Sequence, residues 1–157
     1  MLKKYLFIFF LSMVPIIELR GAIPFAVNWE LNYWTSLTVC AIGNMLPVPI
    51  IYLFARKVLH WGADKKYIGK FFRFCIEKGE RGGQKLTARA GRGGLFVALM
   101  LFVGIPVPGT GAWTGTLAAS FLNMGIRSTV TAVSLGVVIA GIIMGVASTG
   151  VFSIFGI

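Results

Sequence analysis

Apolar residues gather along this chain in four long stretches, two broken and two unbroken. The first covers residues 5–27 and is interrupted by Pro15, Glu18, Arg20, Gly21 and Pro24. The second, residues 34–55, is 22 residues long and has no formal charge. As a helix it extends about 33 Å, enough to cross a hydrocarbon core of about 30 Å, and Pro47 and Pro49 predict a kink in it. The third, residues 95–122, is broken near its middle by Pro106, Val107, Pro108, Gly109, Thr110 and Gly111. The fourth, residues 128–147, runs without interruption. Its Gly136, Ala140, Gly141 and Gly145 are small residues that let another helix approach closely. Packing inside one chain is preferred to a homo-oligomer contact there, which stays as the alternative.

The stretches pair up. A broken segment followed by a clean span occurs twice, giving a first repeat over about residues 4–55 and a second over about residues 93–150. In the second broken segment, residues 95–105 make about 16 Å of helix and residues 112–124 about 20 Å, so neither half crosses alone. Arg92 and Arg127 flank it, which places both ends on the cytoplasmic side and predicts a re-entrant helical hairpin. A non-helical tip survives at membrane depth only where it faces protein or a watery cavity. The same logic makes residues 5–27 a hairpin entering from the opposite face, and the whole an inverted repeat. Lys3 and Lys4 then lie outside, against the positive-inside tendency; a single kinked crossing of residues 4–30 is the alternative. The expected class is therefore an all-α integral membrane protein, one domain over residues 1–157.

Composition agrees. The chain is 57% apolar and 13% charged, against about 45–50% and 25% in soluble domains. Its net charge of +10 suggests nucleic acid until its distribution is seen. Residues 56–92 carry eleven Lys or Arg and three Asp or Glu, whereas the other 120 residues carry four and two. One basic block between apolar stretches predicts a cytoplasmic connector and excludes nucleic acid as partner. Within it Ile68, Phe71, Phe72 and Cys75 fall at helical spacing, with Lys66, Lys70 and Arg73 on another face. This is an amphipathic helix drawn to anionic lipid or covering the protein's own face. Residues 79–94, rich in Gly, Lys and Arg, read as a mobile connector, with a short helix over 84–90 as the alternative. Glu18 and Arg20 stand where a signal-peptide cleavage site would need small residues, so no cleavage is expected.

The chemistry is sparse. Cys40 and Cys75 make neither a metal spacing nor a disulfide framework. His60 has no evident partner, and no catalytic constellation appears, so an enzyme, a metal and a cofactor are not expected. Glu18 and Arg20 are the exception, because intramembrane charges are costly and mark pathways. Glu18 is the candidate for proton coupling, since burial disfavours a charged carboxyl. Arg20 is the candidate for an anionic substrate group, above all a phosphate. Mutual neutralisation of the two is the alternative, which needs a broken backbone because residues i and i+2 do not face one another on a helix. Gly109, Thr110, Gly111, Thr114 and Gly115 leave amides open at the start of a half-helix, a place that attracts anions. Trp113 packs beside the substrate or fills the tip. Asn44 is a polar group in a span, usually bonded to a neighbouring helix.

Three motifs, PIIELRGAIP at residues 15–24, GNMLPVP at 43–49 and IPVPGTGAWTG at 105–115, together resemble the Putative small multidrug export protein family of short prokaryotic membrane proteins. The resemblance covers nearly the whole chain. It implies drug efflux across the prokaryotic plasma (inner) membrane. The residues place the candidate substrate site at Arg20, Gly21, Pro24, Asn44, Pro106, Pro108, Gly109, Thr110, Gly111, Trp113 and Thr114, with Arg20 and the tip at residues 109–111 taking the anionic group. More distantly, the paired hairpins are similar to the DedA superfamily, which is associated with moving polyprenyl phosphate or other lipids. This chain lacks the arginine that DedA-like proteins carry in the second hairpin, where residues 110–113 stand instead. The expectation is a proton-coupled secondary transporter of a small molecule, with membrane lipids as surroundings. The alternatives are a DedA-like transporter or flippase of an anionic lipid and a non-transporting scaffold.

Overall fold

The computed structural model describes the backbone of residues 1–65 and 67–155, and the side chains of these except residues 86 and 151–155. No strand occurs among the described residues. The helices are α1 (Leu2–Met13), α2 (Glu18–Asn28), α3 (Tyr33–Met45), α4 (Pro47–Ala63), α5 (Gly69–Gly104), α6 (Ala112–Phe121) and α7 (Ile126–Phe155).

The first broken stretch folds as two short helices of 12 and 11 residues, each about 16–18 Å long. They run antiparallel. Phe7, midway along α1, meets Phe25 of α2 and Trp29 just past its end at ring distances of 6.1 and 5.3 Å, and Lys4, early in α1, lies over Trp29. The turn between them carries Ile16 at φ 77° and Glu18 at φ 52°. The left-handed region costs an L-residue about 1–2 kcal/mol, most of all a β-branched one, so this tip is held by contacts elsewhere.

The second stretch breaks where its prolines predict. Asn32 caps α3 by accepting from the Thr35 amide at 3.0 Å. Pro47 then opens α4, because it lacks the amide that would continue α3. The helix does not stop at residue 55 but runs through Arg56 and Lys57 to Ala63. Tyr33–Ala63 and Ile126–Gly150 are the two described segments long and apolar enough to cross a membrane, and the bent α5 is a third if taken as one span.

The connector departs from expectation. Residues 79–94 are helical and belong to α5, whose two parts, Gly69–Lys85 and Thr87–Gly104, are inclined at 94°. The break in helical geometry falls at Gly91, with φ 70° and ψ 175°. Glycines that look like flexible punctuation serve close approach instead: a side chain on Gly79 or Gly83 would run into the carbonyls of Phe121 and Leu122. The predicted amphipathic face is also split. Phe72 packs under Gly62 and Cys75 is half-buried, while Ile68 and Phe71 are exposed. Lys66 lies outside the described residues. Arg73 donates to the Ala63 carbonyl at 3.0 Å.

The last part of α5 and α6 form a second antiparallel hairpin, with Gly115 facing Val103 and Leu99. Its second arm is shorter than residues 112–124. α6 ends at Phe121, and a turn with Asn123 at φ 57° leads into α7. α7 packs against α2, α3, α5 and α6. Its small residues are used inside the chain: Gly136 lies against Met100 and Val103, Gly141 against Leu19 and Leu37, and Gly145 against the Tyr33 ring. The Tyr33 hydroxyl donates to the Gly141 carbonyl at 3.0 Å. Leu19, Ile23, Val103, Val133 and Val137 are among the core residues. Large apolar side chains such as Leu6, Phe10, Ile50, Phe54, Val97 and Val146 stay exposed. An apolar surface this extensive suits lipid and not water.

Candidate functional site

The tip of the second hairpin, residues 105–111, has a backbone problem set by its sequence. α5 stops at Gly104, because Pro106 and Pro108 carry no N–H and cannot continue its ladder, and the carbonyls of its last turn and of the tip beyond are left without helical donors. The Val107 amide turns back to Ile105 at 2.8 Å. At the other side α6 begins at Ala112 after Gly111, which has no side chain to cap it. One helix therefore ends in bare carbonyls and the next begins with bare amides, a few residues apart.

The first hairpin answers both. Arg20 donates through Nη2 to the carbonyls of Val103 at 2.8 Å and Ile105 at 3.2 Å. Through Nη1 it donates to the carbonyls of Val107 at 2.9 Å and Thr110, and to Thr110 Oγ1 at 3.0 Å. Glu18 accepts from the amides of Ala112 at 3.2 Å and Trp113 at 3.1 Å. The cation thus sits at the negative end of α5 and the carboxylate at the positive start of α6, the favourable sign at each. Glu18 is 5% exposed, and a buried carboxylate without such donors would be strongly disfavoured. A Cβ on Gly111 would collide with this carboxylate, so the glycine makes room for it. Thr110 Oγ1 lies within hydrogen-bond reach of the Ile105 and Val107 carbonyls and stiffens the turn around Gly109, whose φ is 85°.

Glu18 and Arg20 do not pair with each other: the ion pair found among the described residues is Arg81 with Glu77. Glu18, at φ 52°, and Arg20, in the first turn of α2, point to different parts of the facing tip. Of the predicted site residues, the structure joins Glu18, Arg20, Thr110, Gly111 and Trp113. Pro106, Pro108 and Gly109 shape the tip around them. Thr114 turns back to the Gly111 carbonyl at 3.4 Å. Gly21 and Pro24 lie further along α2, where a Cβ on Gly21 would meet Ile17. Asn44 is buried on α3, and its Oδ1 has no partner; Trp113 Nε1 is buried and unpartnered in the same way. No hydrogen bond links Asn44 to the tip.

The Thr110 amide donates to the Val107 carbonyl at 3.1 Å. The open amides are those of Ala112 and Trp113, and the anion is the protein's own Glu18. Ala112 and the carbonyls of Val103, Ile105 and Val107 were not foreseen. The signal lay in the pairing of two proline-broken tips, one of which carries an acid and a base. Among the described residues no group of His, Cys, Asp and Glu comes together as a metal site. The cavities lined by Glu80, Arg92 and Arg127, by Arg56 and His60, and by Ala41, Met45 and Ser134 are formed elsewhere in the chain, without Glu18, Arg20 or residues 105–115 in their walls.

No curated protein and no solved structure matches the chain. A family model does match, over residues 18–143, a span that opens on Glu18 and contains the whole constellation around the second tip. With well over half of its length matched, the chain belongs to the family described as Putative small multi-drug export protein.

Proposed function

We propose that the chain is a secondary transporter of the prokaryotic inner membrane that exports small lipophilic molecules in exchange for protons, with Glu18 as the proton carrier. One observation carries this: a buried carboxylate in a membrane protein, without an ion-pair partner, is held by two backbone amides of a half-helix. Protonation takes away the negative charge that those amides and the α6 dipole stabilise. The neutral acid holds the second hairpin less firmly, and the tips part. Trp113 Nε1, buried without an acceptor beside this contact, is then available to the incoming molecule.

The proposed membrane placement is an inverted repeat of two re-entrant hairpins with residues 56–92 cytoplasmic. Several contacts support it. The foot of the first hairpin lies at Lys4 and Trp29, next to the start of α3 at Tyr33 and Trp34. The foot of the second lies at Phe121 and Met124, against the connector and α4, where the Tyr52 hydroxyl donates to the Met124 carbonyl. Between those ends runs Tyr33–Ala63, with aromatic residues near both termini, as interfacial belts have. The tips meet between the two feet, the arrangement by which broken helices form sites near a bilayer midplane.

A DedA-like lipid-phosphate carrier would want Arg20 free to hold the phosphate, and both its terminal nitrogens are already engaged. A non-transporting scaffold predicts Glu18 paired with Arg20 and no cavity between the hairpins; the two side chains are not paired, while the described cavities lie away from the tips. Proteoliposomes holding the full chain separate these ideas. A pH gradient should drive accumulation of a fluorescent lipophilic cation, and Glu18→Gln should abolish the dependence on the gradient. Movement of a fluorescent polyprenyl phosphate without movement of the cation refutes drug export. Movement of neither refutes transport.

A further inference from the structure

The bend of α5 and the turn from α6 to α7 border an open cavity of about 820 Å³, a size that suits a small ligand. It is separate from the Glu18–Arg20 constellation. Arg92 enters it just past the Gly91 bend, and Arg127 enters it from the first turn of α7; Leu95, Leu122 and Met124 supply an apolar wall. Glu80 is the acidic residue in the lining, which therefore carries two guanidinium groups and one carboxylate. Unlike Arg20, neither Arg92 nor Arg127 has a side-chain hydrogen bond or an ion pair among the described residues. The Arg127 and Ser128 amides, in the first turn of α7, have no acceptor within that helix. The walls are fixed in place, because Gly83 of α5 rests on the Leu122 carbonyl and Met124 is tied to Tyr52.

Arginines that only mark the cytoplasmic side need neither a cavity nor an apolar wall. Here a paired cationic rim stands over an apolar floor, and planar forks of this kind match phosphate oxygens. We propose that this cavity binds a phosphate group, with Arg92 and Arg127 gripping its oxygens. The wall of Leu95, Leu122 and Met124 receives the apolar part that follows where the phosphate belongs to a lipid.

Native mass spectrometry of the full chain in detergent tests this with phosphatidic acid, phosphatidylcholine of the same acyl chains, and glycerol 3-phosphate as probes. Phosphatidic acid should be retained about tenfold over phosphatidylcholine, a modest expectation for two arginines at a membrane surface. The double variant Arg92→Gln/Arg127→Gln should reduce it to the phosphatidylcholine level, and Arg81→Gln/Arg89→Gln, outside the cavity, should not. Ala88→Trp, which fills the cavity and keeps both arginines, should also lose it. Displacement by glycerol 3-phosphate marks a soluble phosphate as the ligand; failure to displace marks the lipid. Equal retention of the two lipids overturns the proposal, as does retention of phosphatidic acid by either cavity variant. These outcomes are independent of the proton-coupling assay above.

Discussion

Replacing Arg20 by methionine keeps most of the side chain's length and removes its donors. Five hydrogen bonds disappear, to four carbonyls and one hydroxyl. The acceptors are not equally harmed. The Ile105 carbonyl still receives the Val107 amide, and the Val107 carbonyl the Thr110 amide. The Val103 and Thr110 carbonyls lose the donor that satisfied them. A fully buried polar group left unsatisfied costs about 1–3 kcal/mol; these two carbonyls are part-buried, which puts the loss of stability at about 2 kcal/mol, the low end for two groups. The assay is equilibrium unfolding of the full chain in mixed micelles titrated with dodecyl sulfate, followed through the four tryptophans. Arg20→Lys should recover part of the loss, because a compact ammonium cannot span these carbonyls as the guanidinium fork does. Arg81→Met, which breaks an exposed pair at 3.8 Å, should leave the midpoint unchanged. If Arg20→Met moves the midpoint no further than Arg81→Met, Arg20 is not what closes the tip.

Two further substitutions follow from close approach. Gly111→Ala should push the Glu18 carboxylate off the start of α6. It should destabilise the fold by about 1–3 kcal/mol, as overpacking does, and weaken proton-driven uptake in proteoliposomes. Gly79→Ala should lower the unfolding midpoint because its Cβ meets the Phe121 carbonyl. Gly93→Ala, with open space around it and an ordinary helical φ, should raise stability by about 0.4–1 kcal/mol.

Much of this protein is legible from the order of its residues. A helix must satisfy its own backbone in lipid, so a run of apolar residues long enough to cross announces itself, and so does a run too short to cross. Residues 34–55 and 128–147 were found this way, as were the breaks at residues 15–24 and 105–111 and the cost that makes Glu18 and Arg20 conspicuous. Proline marked the helix break at Leu46 because its missing amide acts wherever the residue stands.

What the tertiary structure decided is where those charges go. Glu18 and the Ala112 amide are 94 residues apart, and no local rule brings them together. The sequence supplies an acid, a base and a tip with exposed amides and carbonyls. Only packing of the two hairpins shows that the acid and base are spent on the tip and not on each other. Glycine was the other blind spot. At Gly79 and Gly83 it reads as flexibility, yet both are helical, because absence of a Cβ permits a turn and close backbone contact alike. Which of the two a glycine serves depends on what lies opposite, and that is a property of the folded chain.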